Sequence, residues 1–162
     1  MISADTYTST NPALCSLVLW SFLNGFEQTK KDGCELPILF LPLPLIISKT
    51  IRNKFDGSNN TTGLLTWVAR NPSVLINVGQ RIEVTKNITK EAILFGATNE
   101  VFNFNDDGLV FSNKKGIKVS KVQSGSHFEN DKEMLLTARR LGSWCGQLES
   151  TKTIFNVLGV SL

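Results

Sequence analysis

Apolar residues recur at spacings of three and four through Leu14, Leu17, Val18, Phe22 and Phe26, which predicts an amphipathic helix with a wide apolar face. Asn11 is a good N-cap, and Pro12 suits the first helical position, where a backbone N–H would lack an intrahelical partner anyway. The next apolar run, Leu36 to Ile47, is broken by Pro37, Pro42 and Pro44. Prolines this close together remove backbone donors, so Leu36–Leu43 is expected to be extended, with Pro44 opening a helix that runs to about Phe55. The run is too short and too broken to span a bilayer, and burial inside the protein is expected. Asp56-Gly-Ser-Asn-Asn-Thr-Thr62 is a cluster of turn formers and reads as a flexible surface loop open to proteases.

Leu64, Leu65, Val68 and Ala69 predict a short helix ending near Asn71-Pro72, and Pro72 starts a second through Val74, Leu75, Val78 and Ile82. Thr89 reads as the N-cap of a separate helix, Lys90–Glu100, in which Ala92, Ile93, Phe95 and Gly96 would pack closely on a neighbour. The period then changes. Val101, Phe102 and Phe104 face Leu109, Val110 and Phe111 across Asn105-Asp-Asp-Gly108, a strong hairpin signal, and Ile117 and Val119 suggest a third strand. A helix followed by a hairpin outlines a winged helix, with residues 101–122 as the wing. After a linker loop at 123–130, Asn130 or Asp131 caps a helix that lines Met134, Leu135, Ala138, Leu141 and Trp144 along one face. A last helix, Thr151–Leu158, is expected to send Ile154, Phe155 and Leu158 into the core. The fold class expected is α+β, mainly α: one compact helical domain over residues 1–162 with a winged-helix-like hairpin.

The chain has 162 residues, enough for one sizeable core, and a net charge of +3, too small to mark a protein that coats nucleic acid. Residues 1–10 form a polar lead without the basic and apolar stretches of a secretory signal, so a cytoplasmic location and no membrane partner are expected. Cys15, Cys34 and Cys145 are odd in number and share no C-x-x-C spacing, which favours buried thiols over disulfides or zinc. Without secretion, the sequons at Asn59, Asn60 and Asn87 carry no weight.

Lys114, Lys115, Lys118 and Lys121 crowd the wing. Lysines there could touch DNA phosphates, but a charged edge strand also keeps sheets from pairing with one another, and this second reading is favoured. Arg139 and Arg140 flank an apolar helix face and fit either a protein interface or a solvated surface. Catalysis finds few candidates. The one histidine, His127, falls in the Ser-rich linker. The acidic residues have helix and turn roles, and Asn113-Lys-Lys-Gly116 lacks the second glycine and trailing hydroxyl of a phosphate loop. No cofactor, no metal site and no enzymatic activity are expected.

Six segments in order along the chain carry a family resemblance. They are Asn11-Pro-Ala-Leu, Leu36-Pro-Ile-Leu-Phe-Leu-Pro-Leu-Pro-Leu45, Leu64-Leu-Thr-Trp67, Glu91-Ala-Ile-Leu-Phe-Gly96, Arg139-Arg-Leu-Gly-Ser-Trp144 and Thr153-Ile-Phe-Asn-Val-Leu-Gly-Val160. The chain resembles the middle component of three-component ABC systems, the small subunit that accompanies an SMC-like ATPase and an effector in bacterial conflict operons, including the Lamassu type. The resemblance implies a non-enzymatic adaptor that bridges the ATPase to an effector such as a nuclease and responds to foreign DNA sensed by the ATPase. In that role residues 36–47 and 139–144 are the expected partner interface, with Leu39, Phe40, Leu43, Arg139, Arg140 and Trp144 at its centre. The alternative is a stand-alone winged-helix DNA-binding regulator with Lys90–Glu100 in the groove. Its weakness is that Ala92-Ile-Leu-Phe-Gly-Ala offers few side chains able to read bases.

Overall fold

The structure is a computed structural model that describes residues 11–113 and 128–161. Its helices are α1 (Pro12–Thr29), α2 (Pro42–Ile46), α3 (Lys49–Asn53), α4 (Leu64–Arg70), α5 (Val78–Thr98), α6 (Phe128–Gly146) and α7 (Thr151–Val157). Two 3-10 segments, Leu36–Phe40 and Pro72–Leu75, and a hairpin of β1 (Phe102–Phe104) and β2 (Val110–Ser112) complete the order. The fold is mainly α with a small antiparallel sheet, as the periodicity predicts.

α1 starts where its cap residues say it should: the Asn11 side chain accepts from the Ala13 N–H at 2.8 Å, and Pro12 takes the first helical position. It is more than amphipathic. Leu14, Cys15, Val18, Leu19, Phe22, Leu23 and Phe26 are buried, and so are Ser16 and Ser21 around the same helix. A helix covered nearly all round needs its hydroxyls satisfied: Ser16 Oγ donates to the Ala13 carbonyl and Ser21 Oγ to the Leu135 carbonyl on α6, at 2.7 and 2.6 Å. α6 lies against α1 so closely that glycine is required on both helices. A Cβ on Gly25 would strike the Arg139 carbonyl, and one on Gly142 would strike the Phe22 carbonyl.

The proline-rich run corrects one expectation. Leu36–Phe40 and Pro42–Ile46 are helical turns, not extended chain, because Pro37 and Pro42 occupy opening positions whose N–H has no helical acceptor. Burial of the run is as expected, with Ile38, Leu39, Leu41, Leu43, Leu45 and Ile46 in the core. The helix to Phe55 is also divided, since Ser48 turns its hydroxyl on the Ile51 N–H and caps α3 as a new helix. Arg52 is buried beneath this junction. Its guanidinium donates to the carbonyls of Ile46 and Ile47 at 2.6 and 3.1 Å, to Asn130 Oδ1 at 2.7 Å, and to Glu133 Oε1 at 3.3 Å. The carbonyls left unpaired at the end of α2 are thereby satisfied by a cation, which the helix dipole favours.

A second correction concerns Thr89, which caps nothing: it lies inside the continuous helix α5, fully buried. α5 ends in a Schellman pair, with the Val101 N–H on the Gly96 carbonyl at 2.7 Å and Glu100 in the left-handed region at φ 59. The hairpin follows at once. Phe102 pairs with Ser112 and Phe104 with Val110, and Asn105 Oδ1 accepts from the N–H groups of Asp107 and Leu109 across the turn. Gly96 is needed because the Phe102 ring occupies the space a Cβ would take. Val110 also bridges to Cys34 through two backbone hydrogen bonds, and the Glu27 carboxylate accepts from the N–H and hydroxyl of Ser112, which fastens the hairpin to α1. The expected third strand at Ile117 and Val119 and the linker residues 123–127 lie outside the described residues, and α6 already begins at Phe128.

The turn-forming stretch 56–62 lies at the surface as expected, and side chains of α6 and of Gln147 just beyond it hydrogen-bond to this stretch and to Phe55 before it. Trp144 Nε1 donates to the Asn59 carbonyl at 3.0 Å, Arg140 Nη1 to the Phe55 carbonyl and Ser58 Oγ at 3.2 Å each, and Gln147 Nε2 to the Asn60 carbonyl at 3.4 Å. Beneath it Phe55, Trp67 and Trp144 form an aromatic cluster with ring centroids 4.3 to 5.8 Å apart.

Candidate partner-binding surface

α5 touches the rest of the chain along one face, a central seam with Ile88 and Ile93 half-buried on either side. Val78, Thr89, Ala92 and Gly96 are buried and Ile82 and Thr85 half-buried, so the contact positions recur every three to four residues, as on a coiled-coil seam. Small residues along most of that seam bring the helix close while leaving its other faces in solvent. Val84 is 73% exposed, Leu94 69% and Phe95 36%. On a helical wheel Val84 and Phe95 share one stripe about a quarter turn from the seam, with Ile88, half-buried against the core, between them and the seam.

A groove runs along each flank of α5. One, of about 330 Å³, is lined by Leu36, Pro37, Phe40, Ile82 and Phe155, with the Glu83–Lys86 pair, 3.8 Å apart, completing its wall. The other, of about 440 Å³, lies between α5 and the junction of α2 with α3, lined by Pro44, Ile47, Asn77, Arg81 and Val84 among others. Apolar side chains line both grooves, with Glu83 and Lys86 in the first and Ser48, Gln80, Arg81 and Thr85 among the polar lining of the second.

The expected interface residues divide. Leu39, Leu43 and Trp144 have no accessible surface and belong to the protein's own core, so a partner cannot reach them in this structure. Phe40 is half-buried and lines the first groove, beside Leu36, four residues back, which is 40% exposed. Leu39 and Leu43 face the core from two successive short turns, whereas Leu36 and Phe40, at the two ends of the 3-10 segment, open on the groove. Arg139 is exposed, and Arg140 is half-buried with its Nη1 on the 56–62 stretch. Lys114, Lys115, Lys118, Lys121 and His127 lie outside the described residues. Val84 and Leu94 are surface residues the sequence reading does not single out. Each is apolar at a position out of phase with the buried seam; for Leu94 that phase is visible within the expected helix Lys90–Glu100, for Val84 only once α5 is known to begin at Val78.

The three thiols are held in the protonated form at neutral pH. Cys15, Cys34 and Cys145 are buried, and none forms a disulfide. Burial, reinforced by nearby Glu91, pushes the Cys15 thiol up to about 12; burial alone pushes Cys145 up to about 12. Cys34 is pushed higher still, by burial first and then by the neighbouring Cys145, Glu27 and Glu35, against the opposing pull of Lys30. These groups are poor nucleophiles at neutral pH. Among the described residues no group of His, Cys, Asp and Glu is placed to hold a metal ion, and no helix is long and apolar enough to cross a membrane.

The family described as ABC-three component (ABC-3C) system Middle Component 3 matches residues 1–162, and the chain belongs to it. No curated protein and no solved structure matches the chain.

Proposed function

We propose that this middle component is a non-catalytic, cytoplasmic adaptor that ties an SMC-like ABC ATPase to an effector such as a nuclease in a bacterial defence system of the Lamassu kind, and that it helps to release the effector when the ATPase engages foreign DNA. Membership of a three-component family supports the existence of other components with which the chain works. The observation that favours an adaptor is the surface of α5: a long helix packed on one side, with Val84 and Leu94 mostly in solvent, Phe95 partly so, an apolar groove on one flank and a more polar one on the other. A bridging subunit must keep separate patches free for different proteins, and such patches combine an apolar centre with a polar margin.

Co-expression with the products of the neighbouring genes, followed by size-exclusion chromatography with mass detection, tests the proposal. A stable complex containing a large ATPase is the expected result. The double variant Val84→Asp, Leu94→Asp should then elute alone while keeping the wild-type circular dichroism, since both side chains are mostly in solvent. Unchanged co-elution of that variant refutes the assignment of the α5 face. A lone wild-type monomer that binds duplex DNA in a salt-dependent way favours the regulator instead.

A further inference from the structure

A third cleft, of about 620 Å³, is lined by α3, the residues just after it and the stretch of α6 from Asn130 to Arg140. Its lining carries four cations, Lys49, Arg52, Lys132 and Arg140, against two carboxylates, Asp56 and Glu133, an excess of two positive charges. Not all of these are available. Arg52 is buried, and its charge is balanced by Glu133 at 3.3 Å. Lys49 and Lys132 are exposed, and among the described residues neither they nor Arg140 has a carboxylate partner. The Arg140 contacts are to a carbonyl and a hydroxyl, which leave its charge uncompensated. Within this ring of cations Leu136 stands 53% exposed.

We propose that this cleft docks an acidic peptide segment of a partner protein, one that places carboxylates against Lys49, Lys132 and Arg140 and an apolar side chain on Leu136. The planar fork of Arg140 suits a carboxylate, and the two lysines supply point charges at the open side. A nucleic-acid backbone fits less well. It carries a negative charge at every unit and would meet Asp56 and Glu133 as well as the cations, whereas a peptide can present a neutral or basic residue there. Arg52 gives the site a fixed floor, because the same side chain holds the end of α2 and the first turns of α6 together. The proposal rests on the adaptor reading, to which it adds the chemistry of one partner.

The test uses the full chain and a fluorescein-labelled peptide of Glu-Glu-Leu repeats, with binding followed by anisotropy. Binding should weaken as salt is raised, and the Lys49→Glu, Lys132→Glu double variant should bind roughly tenfold more weakly or worse, with an unchanged melting temperature. No binding by the wild type, or equal binding by the variant, overturns the proposal. Duplex DNA bound in place of the peptide, and lost in the same variant, overturns it in favour of a phosphate ligand. Failure of the wild-type chain to co-elute with its neighbours sinks the adaptor reading without touching the peptide measurement, so the two failures are separable.

Discussion

Gly142→Ala is the sharpest test of the close helix pair. Alanine is the better helix former by about 1 kcal/mol, so on an open helix face the change would stabilise the protein. At this position the added Cβ lands on the Phe22 carbonyl oxygen, with the Phe22 carbonyl carbon at 2.8 Å and the Phe26 nitrogen at 3.0 Å, against an ordinary contact range of 3.4–4 Å. All three are backbone atoms of α1 and cannot swing aside. The helices must part by about 1 Å, a gap that forfeits a quarter to a half of each dispersion contact across the interface. Overpacking of this kind costs about 1–3 kcal/mol, and backbone-on-backbone crowding belongs at the upper end. After the propensity gain, a net loss of about 2 kcal/mol remains, or a fall of roughly 4–8 °C in melting temperature for a chain of this size. Thermal unfolding by far-UV circular dichroism measures it, with Gly79→Ala on α5 as the control. A Cβ there meets nothing within 4 Å, so that variant should melt at or slightly above the wild type. If Gly142→Ala also melts at or above the wild type, the close approach of α1 and α6 is refuted.

Arg52→Met should destabilise the chain by about 3 kcal/mol or more, because the Ile46 and Ile47 carbonyls and Asn130 Oδ1 lose their donor, whereas Glu133→Gln should cost under about 1 kcal/mol, since the Glu133 side chain is itself half in solvent and Gln keeps an acceptor for Arg52; urea unfolding ranks the two, and equal effects would contradict the view that the carbonyls matter most. Glu100→Gly should raise stability by about 1 kcal/mol, since a non-glycine residue at φ 59 carries the left-handed penalty. Ellman's reagent should leave all three thiols untouched in the native protein and modify three in denaturant; rapid native reaction of even one would contradict their burial. The sign of the pH effect follows from the same thiols. Their folded pKa is raised above the ordinary value of 9.0, so their contribution is fully present below about pH 9 and is lost as pH rises toward 12, while the unfolded thiols ionise and the folded ones do not. Urea midpoints measured from pH 8 to 11 should therefore fall progressively, beginning near pH 9.

Where a short stretch of chain contains both partners of an interaction, its structure is legible in the sequence. Asn11-Pro12 marks the start of α1 and Asn105–Gly108 the hairpin turn, because the cap or turn residue bonds to a backbone group two to four positions away. Buried positions along α6, Met134, Leu135, Ala138, Leu141 and Trp144, are legible for the same reason: one apolar stripe implies one covered face. The family is legible too, through the order of its apolar segments.

Surface and core within an apolar segment are another matter. Leu39 and Phe40 are neighbours of similar hydrophobicity, yet the first is sealed and the second opens on a groove, and only the helical turn of the proline-rich run and the position of α5 separate them. Thr89 reads locally as a cap and becomes an interior residue of α5 because a seam of small residues, Ala92 and Gly96 among them, rewards one continuous helix. Likewise Gly25 and Gly142 are unremarkable in sequence, 117 positions apart, and become indispensable where two backbones meet. Residues near one another in the chain set the local caps and turns at α1 and the hairpin and make the chain mainly helical. The tertiary structure decided which apolar faces are spent on the core and which remain for a partner, since burial depends on what a distant segment covers.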